Sequence, residues 1–302
     1  MSMPTTAPVM PIVSADAPPE GMSLARVSWN RLKRDRYAVV CLWIIAFYAI
    51  VAILAKCGII AKEWGLPVGE KYQHPSFANY RLWLGTDIFG RSVLFKVIHG
   101  TRIAMSVGLV TALISVPVGV FFGAIAGYFG GWIDELVVWF YTTLSSIPNI
   151  MLLLAISYVV GKGITGVYVA LSVTAWIGLA RVIRGEFIKH KGQEYVIAAG
   201  SLGASHFSKI FKHILPNVSH FIILNLSMQF MSAIKSEVIL TFLGLGVQGE
   251  PSWGVMIDDA KLELGQGVWW QLAGATVAMF FVVLAFNILG DSLRDALDPK
   301  IK

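Results

Sequence analysis

Two charged residues, Lys235 and Glu237, lie inside a long apolar segment and are the first candidates for chemistry in this sequence. A charge at the centre of a lipid bilayer costs about 2.5–3.5 kcal/mol on insertion scales, so each side chain needs a partner or water. Residues two positions apart lie on different faces of a helix, so these two need not pair with each other. Two interpretations stay open: contact with a transported solute, or a structural pair with a partner subunit.

Polar residues at helical spacing accompany these charges, namely Asn225, Gln229, Ser232 and Ser236. Steps of four, three and four positions place them on one face of a helix, and a polar face of a membrane helix avoids lipid. We expect this polar stripe, together with Lys235 and Glu237, to face the helix bundle or a translocation path.

The sequence contains no comparable set of residues that would indicate an enzyme. The six histidines form no His-Glu-x-x-His pattern, and Cys41 and Cys57 lack Cys-x-x-Cys spacing. A phosphate-binding loop of the type Gly-x4-Gly-Lys-Ser/Thr is excluded at Gly161-Lys162, because Ile156 and Gly163 occupy two of its required positions. We therefore expect no catalytic residue, no metal site and no cofactor in this chain.

Composition indicates a membrane protein. The chain has 302 residues, of which 56% are hydrophobic and 14% charged, against about 25% charged residues in soluble domains. Apolar stretches of about 20 residues are typical of membrane-spanning helices. We predict an all-α, polytopic fold with six spans, over residues 37–55, 102–128, 133–160, 165–183, 218–245 and 268–289. The net charge of +6 is explained by basic loops beside membrane lipid and does not indicate nucleic-acid binding.

The boundaries follow from charge and polarity. Residues 1–36 form a tail that ends in a basic segment, and basic residues before a first span place the N-terminus in the cytoplasm. Residues 37–290 form the transmembrane domain. Residues 291–302 form a second cytoplasmic tail, with Asp291 as the expected N-cap of its helix.

Three features are expected to shape the spans. Gly119, Gly123 and Gly127 recur every fourth residue and permit close helix packing, while Pro117 can kink the same helix. The segment 145–149, with Ser145, Ser146, Pro148 and Asn149, interrupts the third span. Such a break at membrane depth is tolerated where it faces protein or a wet cavity.

Two segments are placed outside the membrane on the far side, residues 56–100 and 247–267. In the first, Thr86 or Asp87 can cap a short helix, and Asp87 can pair with Arg91 at i+4; a receptor contact is the alternative. The second is expected to be a loop whose acids form a solvated face, with a binding site as the alternative. These acids are Glu250, Asp258, Asp259 and Glu263.

The polar loop 186–217 separates the fourth and fifth spans. It predicts two short helices, one over Glu194–Ser201 and one that opens at Ser205 and ends before Pro216. The second helix has one apolar face, formed by Phe207, Ile210, Phe211, Ile214 and Leu215. Such a face can lie on lipid or enter a groove of a partner protein.

This loop resembles a known motif. Glu194, Ala198, Ala199, Gly203, Ile214, Leu215 and Pro216 match the E-x-x-x-A-A-x-x-x-G…I-L-P loop of ABC-importer permeases. The stretches 84–91 (LGTDIFGR), 237–246 (EVILTFLGLG), 251–254 (PSWG) and 290–299 (GDSLRDALDP) are similar to further signatures of these permeases. Ser92 replaces an aspartate that is usual there. The chain resembles the C-type permease subunit of the dipeptide/oligopeptide transport family.

The resemblance implies a function and partners. The loop would be the coupling helix that contacts a cytoplasmic ATPase, through the motif residues together with Ala204, Phe207, Ile210 and Phe211. The implied partners are a homologous permease, two ATPase subunits that hold ATP and Mg²⁺, and an extracytoplasmic solute-binding protein. The implied location is a bacterial inner membrane, with both termini cytoplasmic. The alternative is an ion-coupled secondary transporter that uses Lys235 and Glu237.

Overall fold

The computed structural model describes residues 24–297, which fold into helices joined by irregular segments; the remaining residues of both predicted tails lie outside the described part. Within it there is no β-strand, only the isolated bridges Pro67–Arg91 and Thr86–Ser92. The helices are α1 (Leu24–Arg34), α2 (Arg36–Lys56), α3 (Val93–Phe129), α4 (Gly131–Ser145), α5 (Asn149–Val160), α6 (Ile164–Lys191), α7 (Glu194–Ser201), α8 (His206–Ser208), α9 (Leu215–Phe242), α10 (Trp253–Glu263) and α11 (Trp270–Leu297).

The predicted all-α membrane fold is confirmed. Five helical stretches are long and apolar enough to cross a bilayer, namely Arg36–Lys56, Val93–Phe129, Ile164–Lys191, His206–Phe242 and Trp270–Leu297. The helices α4 and α5 together have the length and polarity of a sixth span, but they are bent by 88° relative to each other. The predicted interruption at 145–149 is therefore a sharp corner between two helices.

The second span begins earlier than residue 102. Val93 starts α3, because the Ser92 hydroxyl accepts a hydrogen bond from the backbone amide of Phe95 and caps the helix. The prediction that Thr86 or Asp87 caps a short helix here is wrong. Pro117 lies inside the 37-residue α3.

The glycine stripe of α3 packs against α6, as predicted. A methyl group on Gly119, Gly123 or Gly127 would lie 2.5–2.8 Å from a backbone carbonyl oxygen of α6, at Trp176, Ala180 or Arg184. Because no larger side chain fits, these glycines bring the two helix backbones together. The α3–α6 pair forms the centre of the bundle.

The bundle has two ends, which we name by their loops. The lower end carries residues 192–205, the α3–α4 turn, and the junction of α1 with α11, where the Ser292 hydroxyl donates to Asp35 Oδ2 at 2.6 Å. The upper end carries residues 57–92 and 243–269. There α11 is tied to the 57–92 segment, because the Trp270 indole donates to the Thr86 carbonyl at 2.9 Å.

Two predicted boundaries in the last third are wrong. Residues 247–267 are not a plain loop, since they contain α10, which Ser252 caps through the amide of Val255. Asp291 does not start a new helix, since α11 continues from Trp270 to Leu297 without interruption. The helix continues through Gly290 into the polar residues Asp291 and Ser292, so the last span runs directly into its polar end.

Candidate coupling surface and solute path

The 192–205 loop has a defined geometry. Helix α7 ends in a Schellman motif: the Ala204 amide donates to Ala199 O at 2.9 Å and the Gly203 amide donates to Gly200 O at 3.0 Å. Gly203 has φ +84°, a conformation that only glycine adopts without strain. Ser205 then caps the next helix by accepting from the Ser208 amide at 3.2 Å. The motif residue Gly203 is thus required by the turn.

The four most exposed large apolar side chains of residues 192–211 form what we call the coupling surface: Ile197, Leu202, Phe207 and Phe211. Leu202 at the tip is 89% exposed and Phe207 is 69% exposed. The rings of Phe207 and Phe211 lie 4.3 Å apart, centroid to centroid. Glu194 and Ala198 are also exposed, whereas Ala204 is half-buried. An exposed apolar patch of this kind is typical of a protein contact site.

Other apolar residues of the loop point into the chain itself. Ile210 and Ile214 are buried with Val196 in a cluster that includes Leu179, Ile183 and Phe187 of α6. Ala199 is buried and Leu215 packs against the same cluster. The predicted single apolar face from Phe207 to Leu215 is therefore divided: one part anchors the loop and the other part is free to contact a partner.

The predicted helix end before Pro216 is wrong. Residues Lys209–Ile214 form a π-helical turn that joins α8 to α9, so that the helix runs from His206 to Phe242. Pro216 occupies the first turn of α9, where a missing amide hydrogen costs no hydrogen bond. The part of the predicted loop from His206 onward and the fifth span are one continuous helix.

Side-chain contacts fix this helix to its neighbours at the lower end. The Tyr128 hydroxyl is hydrogen-bonded to His206 Nδ1 at 2.7 Å, which joins the end of α3 to the start of α8. Arg184 of α6 donates through Nη2 to Asp134 Oδ2 at 2.6 Å and so holds the first turn of α4. The loop is thus positioned by three spans.

The predicted polar stripe of α9 is divided between two faces. Gln229 turns inward, where it accepts from the Ser115 hydroxyl at 2.6 Å and donates to Ala175 O at 3.0 Å. Asn225 is half-buried and donates to the Phe221 carbonyl of its own helix. Ser232 and Lys235 are exposed, and Ser236 is half-buried. Ser232 and Lys235 are therefore the exposed members of the predicted set.

Glu237 does not belong to an accessible face. Its side chain is 1% exposed, and Oε1 accepts from the Thr241 hydroxyl at 2.9 Å. The Thr241 hydroxyl in turn accepts from the Val247 amide at 3.2 Å. Glu237 therefore holds the 243–252 segment against the end of α9, which places its side chain in the helix bundle, the first of the two predicted surroundings, and not on an exposed path.

A buried ionic network closes the upper end. The Lys96 ammonium donates to Asp87 Oδ2 at 3.2 Å and to Gln271 Oε1 at 2.8 Å, and the predicted Asp87–Arg91 pair is present at 2.7 Å. Burial by itself raises the pKa of the Asp87 carboxyl, but Lys96 and Arg91 outweigh this effect and hold the pKa below its usual value. Asp87 and its partners form a structural junction.

The acids of residues 247–267 are not a uniform solvated face. Glu263 is 3% exposed and its Oε2 has no hydrogen-bond partner among the described residues. Burial raises the pKa of Glu263 to about 7, and Asp259 and Asp87 add to the rise. Asp259 lies 3.4 Å from the Lys96 ammonium, and Glu250 pairs with Arg102 of α3. These pairs tie the 247–267 segment to α3.

Family models match most of the chain. Residues 119–302 match the family described as "binding-protein-dependent transport system inner membrane component". The chain belongs to this family. Residues 23–79 match a second model, the "N-terminal TM domain of oligopeptide transport permease C". The family comprises membrane components of transport systems rather than catalytic subunits, which confirms the predicted class.

Individual relatives support the same assignment. The dipeptide transport system permease protein DppC of Bacillus subtilis is 36% identical over 93% of this chain and 87% of its own length. The oligopeptide transport system permease protein OppC of Haemophilus influenzae is 36% identical over 93% of this chain and 90% of its own length. The glutathione transport system permease protein GsiD of Pectobacterium atrosepticum is 33% identical over 92% of this chain and 91% of its own length.

A solved structure shares the fold of this permease. It is a chain of the MetNI methionine ABC transporter in an inward-facing conformation, with a TM-score of 0.53 and 17% identity over 68% of the present chain and 96% of the other. At this identity the likeness concerns the fold alone.

Sequence reasoning missed the importance of Lys96 and Gln271 in this permease. Lys96 is a single cation between apolar residues, nine positions after Asp87, and Gln271 lies at the start of the last span. Asp87 lies in the irregular 57–92 segment and not on a helix. Its contacts with Lys96 and Gln271 therefore follow no helical spacing that could be seen in the sequence. The available signal was a lysine with apolar neighbours on both sides in the first turn of α3.

Proposed function

We propose that this chain is one permease subunit of an ATP-driven importer of dipeptides or oligopeptides. It forms the translocation path with a homologous permease and is coupled to two cytoplasmic ATPase subunits. An extracytoplasmic solute-binding protein delivers the cargo. Support for the cargo comes from the relatives, which are permeases for dipeptides, oligopeptides and glutathione.

The coupling surface is the observation that carries this proposal. Ile197, Leu202, Phe207 and Phe211 are exposed at the lower end, on a loop whose backbone is fixed by the Schellman motif and by Gly203. A preformed apolar surface loses little conformational entropy on docking. We assign the cytoplasmic ATPase to this surface, and we place ATP and Mg²⁺ in the ATPase subunits, since the present sequence has no Gly-x4-Gly-Lys-Ser/Thr motif.

The proposed orientation places the lower end in the cytoplasm of a bacterial cell, with the chain in the inner membrane. Helix α1 at this end contains Arg31, Lys33 and Arg34 in its last turn, and the last turn of α6 contains Lys189 and Lys191. Basic residues beside membrane spans are retained on the cytoplasmic side. Both termini are then cytoplasmic, and the upper end faces the solute-binding protein.

The continuous helix from His206 to Phe242 supports a mechanism. Closure of the ATPase pair on ATP moves the coupling surface, and α9 carries the displacement to the 243–252 segment at the upper end. The α4–α5 corner and the exposed face of α9 line the cavity between the two permeases. The cavity then alternates between outward and inward opening by a rigid-body shift.

The test uses the purified membrane complex. We expect the permease to be isolated in mild detergent together with ATPase subunits. Gly203→Asp, Glu194→Lys and the double variant Leu202→Ala/Phe207→Ala should each release the ATPase and abolish ATP-driven uptake. Ile59→Ala is the matched control, because Ile59 is an apolar residue, 69% exposed, at the upper end; it should leave the ATPase bound.

The opposite outcome would change the class of transporter. A permease that is isolated alone, is unaffected by substitutions in the coupling surface and takes up its solute with a proton gradient would contradict the ATP-driven mechanism. In that case Lys235 would become the candidate for ion coupling.

A further inference from the structure

Lys235 is an exposed cation within a membrane-spanning helix, and among residues 29–297, whose side chains the structure describes, it has neither an ion-pair nor a hydrogen-bond partner. We propose that the Lys235 ammonium, with the neighbouring Ser232 hydroxyl, binds a carboxylate of the cargo during passage. This inference rests on the function proposed above and adds the chemical group that the path recognises.

The exposed side chains of α9 form one continuous line in its upper half. Met228, Ser232, Lys235, Ile239 and Phe242 are all exposed and follow steps of four, three, four and three residues, which is one face of a helix. Ser232 and Lys235 are the polar members in the middle of this line. A face with a lysine and a serine at its centre is unsuited to lipid.

The depth of Lys235 favours an anionic partner. It lies seven residues before the end of α9 at Phe242, which is about 10 Å at 1.5 Å per residue. The carboxylate of Glu237, the nearest acid in sequence, points into the protomer and accepts from Thr241. The described part of the chain therefore provides no counter-charge on this face.

A second cation marks the upper entrance of the same face. Lys261 Nζ lies 3.7 Å from the centroid of the Phe242 ring and donates to the Phe242 carbonyl at 3.5 Å. Lys261 is partly neutralised by Asp258, whereas Lys235 is not. A carboxylate that enters past Phe242 thus meets its stronger partner deeper in the path.

The chemistry matches one end of a peptide. Every linear peptide with a free C-terminus carries a carboxylate, which accepts charge-assisted hydrogen bonds from an ammonium and a hydroxyl. A C-terminal amide has the same size but no charge, so it cannot form an ion pair with Lys235. We therefore expect the permease to distinguish these two forms, independently of the selectivity of the solute-binding protein.

The experiment measures ATP-driven uptake into proteoliposomes that contain the whole importer. The probes are radiolabelled trialanine and trialanine amide, and the variants are Lys235→Met and Lys235→Arg. The same preparation of solute-binding protein is used throughout, so its own preference cancels when the ratio of the two rates is compared. Lys162→Met is the matched control, because Lys162 is exposed in the α5–α6 turn, away from this face.

Lys235→Met should lower the initial rate for trialanine about tenfold, the loss expected for one charge-assisted bond, and should change the rate for trialanine amide less than about twofold. Lys235→Arg should retain the wild-type ratio, and so should Lys162→Met. An equal loss for both peptides, or no loss for either, would overturn this inference and leave the importer function intact. Failure of the wild type to take up either peptide with ATP would overturn the proposed cargo and this inference together.

Discussion

The Lys96 ammonium lies 3.2 Å from the Asp87 carboxylate, and both side chains are almost completely buried at the upper end. Removal of one member of an isolated buried ion pair typically costs about 3–5 kcal/mol, but Asp87 keeps its second partner Arg91 at 2.7 Å. We expect Lys96→Met to lower the free energy of unfolding by about 1–3 kcal/mol, the cost of a lost charge-assisted hydrogen bond, measured by thermal unfolding in detergent. Lys62→Met, at an exposed position, is the control.

The double variant Lys96→Met/Asp87→Asn separates the charge from the packing. It removes both charges of the Lys96–Asp87 pair and leaves Arg91, whose side chain is 22% exposed and so remains partly hydrated; we therefore expect it to recover part of the stability lost in Lys96→Met. A double variant that is no more stable than the single one would contradict the ionic origin of the effect.

The buried carboxyl group of Glu263 should make the stability of the folded protein depend on pH. Its pKa is about 7 in the folded protein and about 4.3 in an unfolded chain, so between these values the folded state binds more protons. The stabilisation is complete below about pH 4.3 and is lost as the pH rises through 7. We expect the melting temperature to fall between pH 5 and pH 8, and Glu263→Gln to remove most of this decline.

The measurement is a set of melting curves at fixed ionic strength. Above pH 7 the glutamine variant should melt at least about 3 °C higher than the wild type, since roughly 1 kcal/mol corresponds to a shift of a few degrees. An identical pH slope in both proteins would show that Glu263 is not the group responsible.

The close contact between α3 and α6 at Gly123 should not tolerate a larger side chain. A methyl group at this position would lie 2.6 Å from Ala180 O and 2.9 Å from Ile183 Cβ, so Gly123→Ala must push α3 away from α6. We expect a loss of about 1–3 kcal/mol, as for other overpacked cores. Gly178→Ala on α6 is the control, because nothing lies within 4 Å of its added methyl group.

For Gly178→Ala we expect unchanged or slightly higher stability, since alanine favours a helix over glycine by up to about 1 kcal/mol. Both variants can be compared by the fraction of protein that remains monodisperse after heating in detergent. Equal losses in the two variants would show that helix propensity, and not the α3–α6 contact, decides the outcome.

The hydrogen bond of Tyr128 to His206 should affect the coupling of solute import to ATP hydrolysis. Tyr128→Phe removes the 2.7 Å hydrogen bond to His206 while keeping the aromatic ring. Because such a bond contributes about 0.5–1.5 kcal/mol, we expect the number of solutes imported per ATP hydrolysed to fall by about twofold to tenfold. Tyr158→Phe, at a tyrosine that is 71% exposed, should leave this ratio unchanged. A fall in both variants would argue against a specific role of the Tyr128–His206 contact.

The features that could be predicted from sequence are those that depend on local periodicity. The glycine stripe of α3 needs only a four-residue repeat, and the corner at 145–149 needs only a proline among polar residues. The Asp87–Arg91 pair needs only i+4 spacing. In each case neighbours along the chain determine the outcome.

The features that could not be predicted depend on the context of the fold. Pro216 was read as a helix end, but the π-helical turn before it leaves proline in a first turn, where it is tolerated. Glu263 was read as a surface acid, because nothing in the sequence shows that α10 packs beneath the 57–92 segment. The choice between a solute contact and a structural role stayed open for Glu237, because the direction of its side chain depends on which face of α9 meets Thr241 and Val247.

The uninterrupted helix from His206 to Phe242 spans 37 residues, or about 55 Å, with no flexible joint between Phe207 at one end and Phe242 at the other. In the mechanism proposed above, a displacement at the lower end is carried to the upper end by this one helix. Opening on one side and closing on the other are then coupled by the length of the helix, and the π-helical turn at Lys209–Ile214 is the point at which the displacement enters it.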